Sequence, residues 1–222
     1  MDLVPFKYTN ENLRAIVAGM APTGTDSILA IAGSGDQAFA LLEFAGRVVA
    51  VDRDSDQIDF MRQRVDALER RDYEKFLEAP TKHGEEILQR NSKSRYFRTN
   101  RRLERIRKRL DRLEIAEGDI FEIIKNQRGK FNKFYFSNLG NWVCREQLYE
   151  SDGLDCLPDG CLVYCSSGPP VESDHLVKDE RLTSQSRKFN NYGWKPTVYR
   201  KVGPPLQVSN VAPVKTPIGY VS

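Results

Sequence analysis

The sequence predicts an α/β fold built on a mostly parallel sheet, and three observations predict it. An apolar run, Ser27–Ala32, breaks at Gly33-Ser34-Gly35-Asp36. Small and apolar residues then recur at helical spacing (Ala38, Leu41, Leu42, Ala45), and a second apolar run, Arg47–Val51, finishes at Asp52. Strand, glycine loop, helix, strand and acid make the opening βαβ unit of a nucleotide-binding sheet. Both runs are nearly continuous in apolar residues, the pattern of parallel strands covered on both faces. Gly46 marks the end of the intervening helix.

The remaining elements follow in chain order. A long helix is expected from about Ser55, with Ile58, Met61, Val65 and Leu68 on its apolar stripe. It runs toward Phe76-Leu77 and ends before Pro80. Residues 81–97 read as an irregular or partly helical insertion. Residues 98–113 read as an amphipathic helix, with Leu103, Ile106, Leu110 and Leu113 on one stripe and Arg101, Arg105, Arg109 and Arg112 on another. Leu113–Glu117 is the third strand, leading through Gly118-Asp119 into a helix at Ile120–Asn126, and Phe131–Phe136 is the fourth. The loop Ser137–Trp142 precedes a helix around Arg145–Tyr149. The turn Leu157-Pro158-Asp159-Gly160 then feeds a strand at Cys161–Ser166. Trp194–Val202 and Leu206–Val211 suggest a closing hairpin. One domain over residues 1–211 is expected, with a helical insertion at about 80–112 and a tail at 212–222.

Composition narrows the function classes. The 222 residues carry a net charge of +3. Between Arg90 and Arg112, however, 11 Lys and Arg face 2 Asp and Glu, a local +9 that leaves −6 for the rest. The apolar stretch Ile28–Val51 is interrupted by Asp36, Glu43 and Arg47, so it does not read as a bilayer span. The N-terminus lacks the charged and apolar regions of a signal peptide, and a cytoplasmic location is expected. Cys144, Cys156, Cys161 and Cys165 form no CxxC pair, so reduced thiols are expected and no metal site is assigned. Alternation along the strand puts Cys161 and Cys165 on one face as apolar fillers.

The glycine loop and the acid at the end of the second strand carry the chemistry. Glycines let backbone approach a ligand, and Asp52, 19 residues after Gly33, suits two ribose hydroxyls. The alternative is a tight structural turn with a capping aspartate. Asp36 at the helix start repels a pyrophosphate but suits the ammonium and sulfonium of S-adenosylmethionine. The third glycine of the dinucleotide fingerprint is replaced by Ala38. Asp119 is placed to hydrogen-bond an adenine amino group, to cap the following helix, or both. The expected cofactor contacts are Ala32, Gly33, Ser34, Gly35, Asp36, Asp52, Arg53, Asp119, Ile120 and Asn138.

Three pieces of the sequence, Gly35-Asp36-Gln37-Ala38-Phe39-Ala40-Leu41-Leu42, Val48–Asp52 and Asp72-Tyr73-Glu74-Lys75-Phe76-Leu77, resemble the S-adenosylmethionine-dependent 3-amino-3-carboxypropyl transferases. The nearest resemblance is to the bacterial diacylglycerol enzyme of betaine-lipid synthesis; Tyr8-Thr9-Asn10-Glu11 matches more weakly the segment upstream of the first strand. The resemblance covers about a quarter of the chain well. It implies a Rossmann-like class I methyltransferase fold: a mostly parallel seven-stranded sheet with a helical insertion after the second strand. It also implies attack on the γ-carbon of the methionine moiety with release of methylthioadenosine. Such an enzyme excludes water and aligns the acceptor.

Catalytic candidates are Tyr8, Asn138 and Asn141; Tyr8 either covers the cofactor or packs the N-terminal arm. His83 and His175 read as surface residues. Acceptor candidates are Arg98, Arg101, Arg105 and Trp142, with a small or anionic acceptor expected. The basic stripe is either a solvated helix face or a lid over the ligand edge. In the second case RNA or an anionic membrane surface is a possible partner, with Tyr96 and Phe97 suited to stacking on a base. Two rival functions stand beside aminocarboxypropyl transfer: methyl transfer from the same cofactor, and a noncatalytic RNA- or membrane-binding role.

Overall fold

A computed structural model describes residues 9–78, 96–137, 156–166, 175–189 and 194–203. Its centre is one seven-stranded sheet in the order β3-β2-β1-β4-β5-β7-β6. The strands are β1 (Ser27–Ile31), β2 (Arg47–Asp52), β3 (Leu113–Glu117), β4 (Lys133–Ser137), β5 (Leu162–Cys165), β6 (Leu176–Lys178) and β7 (Thr197–Lys201). The pairings β1–β2, β1–β4, β2–β3 and β4–β5 are parallel. β7 runs antiparallel to both of its neighbours.

Strand alternation sorts the core into two layers. Ile28, Ala30, Val48, Ala50, Tyr135, Leu162 and Tyr164 face one side. There they meet helices α1 (Leu13–Met20), α2 (Asp36–Leu42) and α3 (Ser55–Glu69), the short α4 (Tyr73–Leu77), and α5 (Asn100–Arg107). Leu29, Val49, Val51, Phe134, Phe136, Val163 and Cys165 face the other side, where α6 (Ile120–Asn126) covers them with Ile120, Phe121 and Ile124. Cys156 and Cys161 lie in that second layer too, and burial pushes the Cys161 thiol up to about 12. The expected filler role of the strand cysteines is what the packing shows. A seventh helix, α7 (Glu180–Arg187), packs along α1, where the Ser186 hydroxyl donates to the Ala15 carbonyl at 2.9 Å.

Side-chain caps decide where most helices begin. Asn12, Asp54, Asp72, Asp119 and Asp179 each accept a backbone N–H from the first turn of α1, α3, α4, α6 and α7. α2 lacks such a cap: all seven of its residues are buried, and packing stabilises it instead.

The structure corrects several boundaries. The single helix expected from Ser55 to Leu77 is two. The chain breaks after Glu69, where Arg71 takes a left-handed φ of 61°, and Asp72 recaps it. The helix expected over 98–113 closes at Arg107; a 3-10 turn at Leu110–Arg112 follows, and Leu113 opens β3. The fourth strand, expected at Phe131–Phe136, runs from Lys133 to Ser137, and the Lys133 ammonium is anchored by Asp26 and the Met20 and Ala21 carbonyls. The outer neighbour of β7 is β6, whose three residues are too few to show a period; α7 has a mostly polar sequence and was not foreseen. Leu206–Val211, the helix expected at Arg145–Tyr149 and Cys144 lie outside the described residues. No helix among the described residues is long and apolar enough to cross a membrane.

Gly46 closes the β1–β2 crossover. A Cβ there would stand 2.4 Å from the Gly24 carbonyl oxygen, a backbone atom that has no rotamer with which to retreat. Gly46→Ala is expected to destabilise the fold by about 1–3 kcal/mol, the scale of overpacking at an unyielding contact. A urea melt with an unchanged midpoint would refute this account of the crossover.

Candidate functional site

The strand order reverses direction between β1 and β4, and ligands in such sheets bind outside the carboxyl ends of the strands at that switch. The strand ends there are Ile31, Asp52, Glu117 and Ser137. The glycine loop leaves β1 by a tight turn. The Ala32 N–H donates to the Val51 carbonyl at 2.7 Å and the Gly35 N–H to the Ala32 carbonyl at 2.7 Å. Gly33 and Gly35 take φ of 46° and 81°. At Gly35 a side chain would also meet Met61 of α3 at 3.0 Å and Phe39 at 3.1 Å, so this position needs glycine twice over. Two amide side chains brace the loop: Gln57 Nε2 donates to the Gly33 carbonyl at 2.6 Å and Gln37 Nε2 to the Ala32 carbonyl at 3.2 Å.

Asp52 bridges the two loops. Its Oδ2 accepts the Gly33 N–H at 2.9 Å and its Oδ1 the Asp54 N–H at 3.2 Å. A carboxylate oxygen has two lone pairs, so each retains one with which to receive a ribose hydroxyl. The Gly118 N–H donates to the Asp52 carbonyl at 2.8 Å, which brings the next loop alongside. Arg53 and Asp119, the residues beyond β2 and β3, form an ion pair, and Asp119 also accepts the Phe121 N–H at 2.7 Å. Ala32, Gly33, Ser34, Gly35, Asp52, Arg53, Asp119 and Ile120 therefore lie along one edge. Tyr8, Asn138, Asn141, Trp142 and His83 fall outside the described residues. His175 is exposed beside β6, with its ring at 3.2 Å from the Val202 carbonyl.

Asp36 has an inward role that spacing did not reveal. Its side chain is fully buried; Oδ1 lies 2.8 Å from Arg64 Nη2 of α3, and Oδ2 accepts the Thr9 N–H at 2.9 Å. Arg64 is itself 2% exposed. Its Nη1 donates to the Ser34 carbonyl at 2.5 Å and its Nε to the Phe76 carbonyl at 3.2 Å, and its guanidinium lies over the rings of Phe76, Phe39 and Phe60. Burial pulls the Arg64 pKa down, while the charge of Asp36 and its hydrogen bond oppose that. Arg64 was absent from the expected site, although the sequence carried a signal: an arginine three residues from Met61 and four from Leu68, on the apolar stripe itself.

Glu11 is a second buried acid at this edge. It precedes α1, and its Oε1 accepts the Tyr135 hydroxyl at 2.7 Å and the Ser137 hydroxyl at 2.5 Å. Burial raises its pKa above the ordinary 4.5, offset in part by the hydroxyls of Ser137, Tyr135 and Ser166. No local pattern could pair residues 126 positions apart.

The basic helix lies elsewhere. Arg102 and Arg105 of α5 both form ion pairs with Glu43, a buried carboxylate that also accepts the Tyr96 hydroxyl at 2.9 Å. Arg109 donates to the Ala45 carbonyl at 2.7 Å. Glu43 and Ala45 follow the C-terminal end of α2, about 10 Å of helix away from the glycine loop. The structure thus places Arg105 at the opposite end of the sheet from the ligand edge and does not lay α5 across that edge. Arg98 and Arg101 are exposed. Tyr96 and Phe97 are buried, edge to face with one another and with Phe97 against Phe76, so neither presents a ring for stacking on a base.

Solved structures share this architecture. A conserved hypothetical protein from Streptococcus pyogenes matches with a TM-score of 0.51 at 14% identity, covering 85% of this chain and 94% of its own. A candidate methyltransferase from Escherichia coli matches with a TM-score of 0.50 at 13% identity, covering 90% and 91%. An RNA methyltransferase from Salinibacter ruber, solved with S-adenosyl-L-homocysteine, gives 0.45 at 16% identity over 89% and 93%. No family model matches the sequence. No curated protein matches it either. The chain has the Rossmann-like fold of class I methyltransferases, and β6 is the strand of its sheet that the sequence did not predict.

Replacing Arg64 by Met leaves the Asp36 carboxylate buried without its cation. A loss of about 3–5 kcal/mol is expected, the cost of breaking a buried pair from one side. Asp36→Asn combined with Arg64→Met is expected to recover much of it; urea melts in which the double variant is no more stable than the single one would contradict this. Glu11 adds a pH dependence. Its folded pKa is raised, so its protonated form favours the fold below about pH 4.5 and that advantage is lost as pH climbs through the folded value. Glu11→Gln is therefore expected to gain stability relative to the parent as pH rises from 5 to 8, and a constant difference in melting midpoint would show otherwise.

Proposed function

We propose that this chain is an S-adenosylmethionine-dependent methyltransferase. The observation that carries the reading is the convergence of the glycine loop, Asp52 and Asp119 at the switch-point edge of a methyltransferase-type sheet. Gly33–Gly35 offers backbone without side-chain obstruction, Asp52 receives the ribose hydroxyls, and Asp119 receives the adenine amino group. The sulfonium supplies the leaving group. The protein's own task is to bind the cofactor, exclude water and align an acceptor in line with the methyl carbon.

A second reading, transfer of the 3-amino-3-carboxypropyl group, is supported by the resemblance of Gly35–Leu42, Val48–Asp52 and Asp72–Leu77 to that enzyme family. The two reactions share a pocket and differ in which carbon meets the nucleophile. Their products separate them: S-adenosylhomocysteine reports methyl transfer and methylthioadenosine reports aminocarboxypropyl transfer. Incubation with doubly labelled S-adenosylmethionine (methyl and carboxyl) and a cell extract, followed by product chromatography, is expected to yield S-adenosylhomocysteine. Methylthioadenosine with carboxyl label in the acceptor would install the second reading instead. Asp52→Ala is expected to weaken S-adenosylhomocysteine binding by about 1–3 kcal/mol, the scale of a lost charged hydrogen bond. Unchanged affinity in calorimetry would remove the ribose assignment.

A further inference from the structure

Among the described residues, three non-glycine residues have positive φ: Ala21, Arg71 and Ser137. The first two end helices, where that conformation is ordinary. Ser137, at φ 53°, instead ends a central strand. The β4–β5 register shifts between Tyr135 and Ser137, so a bulge and a left-handed residue coincide at one position beside the switch point. Such a conformation is strained in a residue with a side chain and persists where the surroundings over-determine it. Here they do. The Ser166 N–H donates to the Ser137 carbonyl at 2.7 Å, and Glu11 holds the Ser137 hydroxyl at 2.5 Å and the Tyr135 hydroxyl at 2.7 Å.

The same arm makes a second attachment. Two residues before Glu11, the Thr9 N–H donates to Asp36, which begins α2 beyond β1. β1 and β4 are the adjacent strands at the switch. The segment from Thr9 to Glu11 therefore joins the end of β4 to the start of α2, which follows β1. Both ties are polar and lie outside the hydrophobic layers, which α1 to α5 cover on one side and α6 on the other. One tie joins side chains, Glu11 to Ser137 and Tyr135, and the other joins the Thr9 N–H to the Asp36 side chain, both at the carboxyl ends of the strands.

We propose that Glu11 is a positioning residue for the bound cofactor: acting through Ser137, it fixes the end of β4 and holds the Thr9–Glu11 segment as the wall of the switch-point crevice. The proposal rests on the cofactor reading above. Glu11 works as a hydrogen-bond acceptor, so an amide oxygen in the same place satisfies the role and a methyl group does not.

The test compares S-adenosylhomocysteine affinity by calorimetry, with fold stability by urea melt, in the parent, Glu11→Gln, Glu11→Ala and Ser137→Ala. Glu11→Ala is expected to bind at least tenfold more weakly and Glu11→Gln within about threefold of the parent. Ser137→Ala is expected to fall in the same direction as Glu11→Ala, and it decides the question if Glu11→Ala does not fold. In the folded variants the Ser166 amide is expected to exchange with solvent faster in Glu11→Ala than in Glu11→Gln. Parent-like affinity in Ser137→Ala, or in folded Glu11→Ala, overturns the positioning role. Equal weakness of Glu11→Gln and Glu11→Ala overturns it as well, since the acid's charge would then be what the ligand meets. If the parent itself fails to bind, the cofactor reading fails and takes this role with it; a binding parent with unaffected variants removes the role alone.

Discussion

The glycine loop depends on a guanidinium that never reaches solvent. Arg64 crosses from α3 to the Ser34 carbonyl, the Asp36 carboxylate and the Phe76 carbonyl, within a box of three phenylalanine rings. Those contacts tie the loop after β1 to α2, α3 and α4 together. A charge so deeply buried is tolerable only because its donors find acceptors and its face lies on aromatic rings. α2 is seven residues long and has no side-chain cap, so it owes its place to packing and to this arginine rather than to its own propensity. Met61, one turn before Arg64, supplies the surface that requires Gly35 to be glycine.

What the sequence could convey and what it could not divide along contact distance. The βαβ unit was legible because its information is local: apolar runs of strand length, glycines where φ turns positive, and an acid at the strand end. β3 and α6 were legible for the same reason, with Asp119 capping as its position implied. The break at Arg71 was not, because the apolar stripe continues across it into Phe76; the helical period persists while the backbone turns. β6 is too short to show alternation and depends on β7 for its existence. The inward turn of Asp36 and the Glu11 cluster depend on partners 28 and 126 residues away, beyond the reach of any window.

The charge distribution illustrates the same division. A block of +9 in sequence read as either a solvated helix face or a lid over the ligand edge. Folded, α5 spends Arg102 and Arg105 on Glu43, while Arg107 and Arg71 take Glu104. Glu104 also accepts the Tyr73 hydroxyl, and that bond, with Arg107 and Arg71, holds its carboxyl down at about 2. The surplus arginines are thus partly internal fasteners between the insertion and the ends of α2 and α3. Among the described residues, Arg98 and Arg101 remain exposed.

The Asp36–Arg64 pair also changes the argument about the ligand. From sequence, the acid at the start of α2 argued against a pyrophosphate by repulsion. Buried and matched by a guanidinium at 2.8 Å, it presents little net charge to the crevice, so repulsion is no longer the discriminating term. Two features take its place. Ala38 stands where a dinucleotide loop has its third glycine, and it is fully buried in the first core layer, so α2 is seated by a methyl group there. The Thr9–Glu11 arm also runs from Asp36 at the start of α2 to Ser137 at the end of β4. The hydrogen bonds of that arm, the Thr9 N–H to Asp36 and the Ser137 hydroxyl to Glu11, link the β1 and β4 sides of the switch point.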